Sequence, residues 1–149
     1  MTKIVSTIKS FSDYHALSPV PENDIARAEK RLSLAFAPEY RDYLLAFGAV
    51  AVNGHEIMGI NEDADRLLLG LNVRELAAGP WRLSVVHMTI EKWELNPNVP
   101  RSMYVIENPA IDGIVIWQDV SGGIYKTSPG SPPKDIADSL ADYIGVRSV

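Results

Sequence analysis

The groups in this 149-residue sequence that could do chemistry are three histidines and a scatter of carboxylates. His55 is followed at once by Glu56, and Asp119 is a further carboxylate that folding could bring beside the imidazole. Either pairing could move a proton or share a metal ion, as a small metal-dependent hydrolase requires. The spacing favours a plainer reading. His15, His55 and His87 form no helical HExxH pair, so a zinc site would depend on folding alone to gather them. They are expected to be scattered surface or edge histidines. His55-Glu56, just after a turn, is expected to be a solvated polar pair.

Asn61-Glu62-Asp63-Ala64-Asp65 presents oxygens at the first three alternate positions of a calcium loop. Arg66 stands where that loop needs glycine, and Asn72 where it needs a bidentate glutamate. The run is therefore expected to be an exposed acidic loop, which with Glu56 makes a local negative patch able to meet a basic protein. Asp112 and Asp119 could form an acid and base pair on adjacent strands, although Asp112-Gly113 is also a standard turn dipeptide. Nucleophile elbows of the GxSxG type, GxxxxGK phosphate loops and GxGxxG turns do not occur. Ser121-Gly122-Gly123 lies between two strand patterns, where a hairpin turn explains it. No catalytic set, metal or cofactor is expected, and the chain is not read as an enzyme.

The elements that would position these groups are legible in the periodicity. Pro21-Glu22-Asn23-Asp24 opens a helix whose Ile25, Ala28 and Leu32 share one face, with acids where the backbone dipole favours them. Pro38 and Glu39 open a second helix, in which Tyr40, Tyr43, Leu44 and Phe47 fall at core-facing spacing and Gly48 is the stop. Val50–Val52 and Ile57–Ile60 read as a strand pair around Asn53-Gly54, since both residues tolerate positive φ. Residues 61–79 are ambiguous between strand and helix. Ser84 caps a helix with Val86, Ile90 and Trp93 on one side, ended by Asn96-Pro97. Met103–Glu107, Ile114–Asp119 and Gly123–Thr127 then form an antiparallel meander, and Asp135 begins a last helix with Ile136, Leu140, Tyr143 and Ile144 inward. Trp93 and Trp117 are expected in the core. Trp81, in a loop-like context after Gly79-Pro80, is the better candidate for a partner surface.

At 46% hydrophobic and 22% charged residues, the composition is that of a mixed α+β domain, and the length suits one core over residues 1–149. The absence of cysteine excludes disulfides, thiolate metal sites and cysteine nucleophiles, and suits a reducing compartment. No signal-peptide or membrane-span pattern is read, so a cytoplasmic location is expected. A formal charge of −5 repels nucleic acid and anionic membranes at long range and attracts a basic partner.

Four stretches, PENDIARAEKRLSLAFAPEYRDYLLAFGA, NGHEIMGI, SVVHMTIEKW and the run from Met103 to Ile144, resemble in order the SUKH superfamily, which takes in fungal cell-wall assembly regulators and bacterial immunity proteins that neutralise polymorphic toxins. PENDIARAEKRLSLAFAPEYRDYLLAFGA is similar to the family's opening through Ala28, Glu29, Leu32, Pro38, Tyr40, Arg41, Leu44 and Gly48. NGHEIMGI resembles the next strand segment, and SVVHMTIEKW the helix leading into the sheet. The stretch from Met103 to Ile144 resembles the C-terminal part, with Glu107-Asn108, Asp119, Ile124-Tyr125, Ser139, Leu140 and Tyr143 in place. The likeness spans about residues 20–145. One departure is Ala49–Val52, which intervenes before Asn53-Gly54. The family pattern offers no catalytic set to carry over.

The resemblance implies an α+β domain, mainly antiparallel sheet with N-terminal helices and a C-terminal helix packed on it. It implies an immunity protein that binds a cognate toxin, for example a nuclease, without bond chemistry. A regulatory module with an endogenous protein partner is the alternative. The acids Glu56, Glu62, Asp63 and Asp65 would steer the encounter and Trp81 would anchor it, with Asp112 and Asp119 as second choices.

Overall fold

Tyrosines at helical spacing set the centre of this protein. A computed structural model describes residues 2–60 and 83–146. Helix α2 (Glu22–Leu32) buries Ile25, Ala28 and Leu32, and α3 (Pro38–Phe47) buries Tyr40, Tyr43, Leu44 and Phe47, as their periodicity predicts. The rings of Phe36, Tyr40 and Tyr104 meet with centroids 4.8 to 5.1 Å apart, and Tyr43 stacks on Tyr40 at 5.3 Å. A buried hydroxyl needs a partner, and each of these has one. Tyr40 donates to the Met58 carbonyl at 2.7 Å and Tyr43 to the Ile57 carbonyl at 2.9 Å. Tyr104 donates to Gln118 Oε1 at 2.8 Å and accepts the Ala37 N–H at 2.9 Å.

Ahead of these lie a short helix α1 (Lys3–Lys9), which buries Ile4 and Ile8, and strand β1 (His15–Ala16). Neither element is expected from the sequence, because α1 is two turns long with only the Ile4/Ile8 pair at helical spacing and β1 has two residues. Strand β1 pairs with β2 (Val50–Val52), and β2 with β3 (His55–Ile57), in an antiparallel sheet of order β1-β2-β3. Asn53 and Gly54 make the β2–β3 turn with φ of 51° and 83°, the positive values that the dipeptide foretells. Beyond it, Gly59 crosses Gly48 so closely that a Cβ on Gly59 would lie 1.6 Å from the Gly48 oxygen.

Ser84 caps α4 (Val85–Leu95) by accepting the His87 N–H at 3.2 Å. The buried face keeps two of the three residues expected on it, Val86 and Trp93, but not Ile90. Val85, Val86, Met88, Thr89 and Trp93 are inward, while Ile90 is 41% exposed. The reason is polar: the Thr89 hydroxyl accepts the Val105 N–H at 2.9 Å, which rolls Thr89 rather than Ile90 onto the sheet. Trp93 and Trp117 are both core, with indole N–H groups on the Met103 carbonyl and on Thr127 Oγ1, each at 2.9 Å.

The second antiparallel sheet runs β4 (Tyr104–Glu107), β5 (Val115–Gln118), β6 (Ile124–Thr127) and β7 (Lys134–Ala137) in sequential order. It thus carries one strand more than the expected meander, and the last helix, α5 (Leu140–Gly145), starts later than Asp135. Ser139 is the true cap, accepting the Asp142 N–H at 3.1 Å. Glu39 of α3 takes the Leu140 and Ala141 N–H groups at 2.7 and 3.1 Å. That remote carboxylate fixes where the helix begins. Ile136, expected inward on a helix, sits on β7 and is 38% exposed. The architecture is α+β, with one hydrophobic cluster joining both sheets and all five helices among the described residues.

Candidate functional site

An open groove of about 880 Å³ lies at the end of the second sheet. Its floor is Ile116 of β5 and Ile114, which immediately precedes that strand. Pro109 and Ile111 from the β4–β5 connection line one side. Ile136 on β7 and Tyr143 and Val146 from α5 and its end line the other. Ile111, Ile136 and Val146 are exposed despite their apolar side chains. Asp135, Asp138 and Asp142 border the groove against one lysine, Lys126, and Asp142 also pairs with Lys3 at 3.2 Å.

His55 reaches the groove from β3 and ties its far wall together. The β2–β3 hairpin turns His55 and Ile57 inward and Glu56 outward, so His55 is 3% exposed rather than solvated as expected. Its Nδ1 is 2.9 Å from Glu107 Oε1 and its Nε2 is 2.6 Å from the Val146 carbonyl. The Tyr143 hydroxyl donates to the same Glu107 oxygen, and the Glu56 N–H donates to Glu107 Oε2 at 3.0 Å. Burial acts against charge on His55, but hydrogen bonds to Glu107 and the Val146 carbonyl, with the carboxylate's charge, outweigh it and raise the pKa above the ordinary value. Burial, then the charge and acceptance of Glu107, raise the Tyr143 hydroxyl well above its ordinary range.

The carboxylate that meets His55 is therefore Glu107, not Glu56 or Asp119. Sequence reasoning missed it, although Glu107 ends a strand in the family-like stretch. With both ring nitrogens and both Glu107 oxygens engaged, the pair serves as a tie between β3, β4 and the end of α5. While the ring is charged it has no lone pair to offer as a general base. His15 is exposed and His87 half-buried, and among the described residues no group of three or more histidines and carboxylates could hold a metal ion.

The remaining residues singled out from the sequence fall in different places. Glu56 is exposed on β3. Asp112 is exposed in the β4–β5 connection with φ 53°, beside Ile111 at the groove. Asp119 closes the β5–β6 turn: one oxygen accepts from Ser121 N, Ser121 Oγ and Gly123 N at 3.0, 2.7 and 3.1 Å, and the other accepts the Tyr125 hydroxyl at 3.0 Å. Partial burial raises its pKa, but those hydrogen bonds prevail and hold it below the ordinary value. Asp119 is thus chiefly a turn residue. Glu62, Asp63, Asp65 and Trp81, with the rest of the acidic run, lie outside the described residues.

These features define an α+β scaffold in which the assembled polar side chains lock elements together and an apolar groove faces outward. A family model described as SMI1-KNR4 cell-wall, one of the SUKH models, matches residues 1–144, and the chain belongs to that family. No curated protein matches the chain. The family-like residues now have physical roles. Glu29 accepts the Phe36 N–H at 2.8 Å and bonds Arg41, which also reaches Glu22. Gly48, at φ 75°, lies where a Cβ would come 1.9 Å from the Ser18 oxygen, while Glu107, Ser139 and Tyr143 fix the end of the sheet and α5.

Proposed function

We propose that this chain is a cytoplasmic immunity protein, acting as one domain over residues 1–149, that binds a cognate toxin domain and blocks it by covering its active surface. The observation that carries this reading is the open groove, with exposed Ile111, Ile136 and Val146 beside Asp135, Asp138 and Asp142. Exposed apolar side chains rimmed by charge are the makings of a partner surface. A net charge of −5 favours encounter with a basic partner such as a nuclease. An interface of this kind buries on the order of 800 Å² per partner, and the groove with its rim would form its centre. Glu56 and Asp112 extend the acidic surface, Asp119 adds charge from its turn, and Glu62, Asp63, Asp65 and Trp81 are further proposed contacts.

The test begins with the neighbouring reading frame, which this reading expects to encode a toxin domain. Co-expression should protect the host, and Ile136→Arg should abolish protection while the protein remains folded by circular dichroism. Full protection by that variant would exclude the groove. Reversing Glu62, Asp63 and Asp65 together should slow association at low salt, and unchanged rates would remove the steering role. The same groove could instead serve an endogenous regulatory partner, in line with the cell-wall description of the family. A non-toxic neighbouring gene product, and recovery of a defined host protein that Ile136→Arg fails to bind, would decide for that partner.

A further inference from the structure

The wall of the groove is fastened by a group that can lose its fastening. His55 Nδ1 and Nε2 both face acceptors, at 2.9 Å to the Glu107 carboxylate and 2.6 Å to the Val146 carbonyl. A neutral imidazole has one N–H, so it can satisfy only one of them; the imidazolium satisfies both. Loss of the proton turns one of the two contacts into an acceptor facing an acceptor. The carboxylate is also served by Tyr143 and by the Glu56 N–H, whereas among the described residues the Val146 carbonyl is held by His55.

We infer that protonation of His55 is the switch that sets the position of the groove's far wall, clipping Val146 against the sheet when the ring is charged and releasing it when neutral. Further up α5 the chain has other holds: Asn53 Nδ2 donates to the Ile144 carbonyl at 2.8 Å, and Lys3 pairs with Asp142. The Val146 N–H also donates to the Tyr143 carbonyl at 3.2 Å, so release is confined to the carbonyl end of Val146, beside the Tyr143 ring, whose centroid is 4.7 Å from that of His55. The charged and titratable groups around the imidazole are Glu107 from β4 and Tyr143 from α5. Asp142 from α5, Lys126 from β6, and Asp135 and Asp138 from β7 and its end line the same groove. Acids predominate, which favours the charged ring. The clip stands on the chain's own geometry, while its bearing on partner binding rests on the docking function proposed above.

Because the chain has no cysteine, Val146→Cys carries a nitroxide label at a single site on the wall. In this labelled protein, nitrogen-15 spectra of the imidazole should show both His55 nitrogens protonated at pH 6 and a titration midpoint above about 6.5. Label mobility should rise through that same midpoint. Glu107→Gln should move the midpoint below the ordinary histidine value, because burial then acts without the opposing charge. Tyr143→Phe should move it upward, by freeing the carboxylate from a competing donor, and serves should Glu107→Gln fail to fold. A midpoint below about 6.5 in the parent protein, or label mobility that stays flat through the titration, overturns the clip. Absence of a toxin partner would count against the immunity function alone, since both measurements of the clip are made without a partner.

Discussion

The second sheet meets two different fates along its length. Beneath α3, Phe36, Tyr40, Tyr43 and Tyr104 are closed over, and each tyrosine hydroxyl is bonded to the chain itself. At the other end, Ile114 and Ile116 floor a groove whose neighbours Ile111, Ile136 and Val146 remain in solvent. Both regions are apolar, so hydrophobicity alone does not tell core from docking surface. What separates them is whether the chain's own helices supply a cover. At the tyrosines α3 does so, whereas at the groove α5 forms only one side.

The sharpest way to break the closed region is Tyr40→Ala. Loss of a fully buried ring and its bond to Met58 should cost about 3–5 kcal/mol in urea unfolding. Tyr104→Phe should cost less, about 1–3 kcal/mol, because it keeps the ring but leaves the buried Ala37 N–H without its acceptor. The groove region responds next, through pH. With the folded-state pKa of His55 raised, the imidazolium's contribution is fully present below the unfolded value of about 6.5 and is lost as pH rises through the folded value. Urea midpoints of the parent protein should therefore fall on going from pH 6 to pH 9 by more than those of His55→Gln, and equal slopes would remove the linkage. The smallest stability effect belongs to Ile136→Ser at the open rim, within about 0.5 kcal/mol of the parent. The same change should cost about 1 kcal/mol or more in toxin binding if Ile136 lies near the centre of the interface. An Ile136→Ser protein as unstable as Tyr40→Ala would erase the distinction between the two regions.

Much of the closed region was legible because its signals are local. Tyr40, Tyr43, Leu44 and Phe47 recur at helical spacing, Gly48 stops the helix, and Asn53-Gly54 names its turn. The groove was less legible. Ile136 fits a helical face with Leu140, yet the strand that holds it is defined by pairing with β6, and the helix start by Glu39, 101 residues before Leu140. Likewise His55 and Glu56 look alike as neighbours of a turn. Only their partners separate them: Glu107, 52 residues away, draws His55 inward, and strand alternation sends Glu56 outward. Asp119 gave a half-true signal, since a carboxylate before Ser-Gly-Gly does mark a turn, and its hydrogen bonds show that this role takes up both oxygens.

By itself the sequence determined the helical stripes, the hairpin turn, the acidic balance and the family, all of which are written in neighbouring residues or in overall composition. The tertiary structure decided that Glu107 rather than Glu56 partners His55, that Ile90 and Ile136 face solvent, and that the apolar side chains at the end of the sheet enclose a groove instead of a core. The physical reason is range. Periodicity fixes which residues of one element share a face, but the cover over that face comes from hydrogen bonds and packing between residues far apart in the chain.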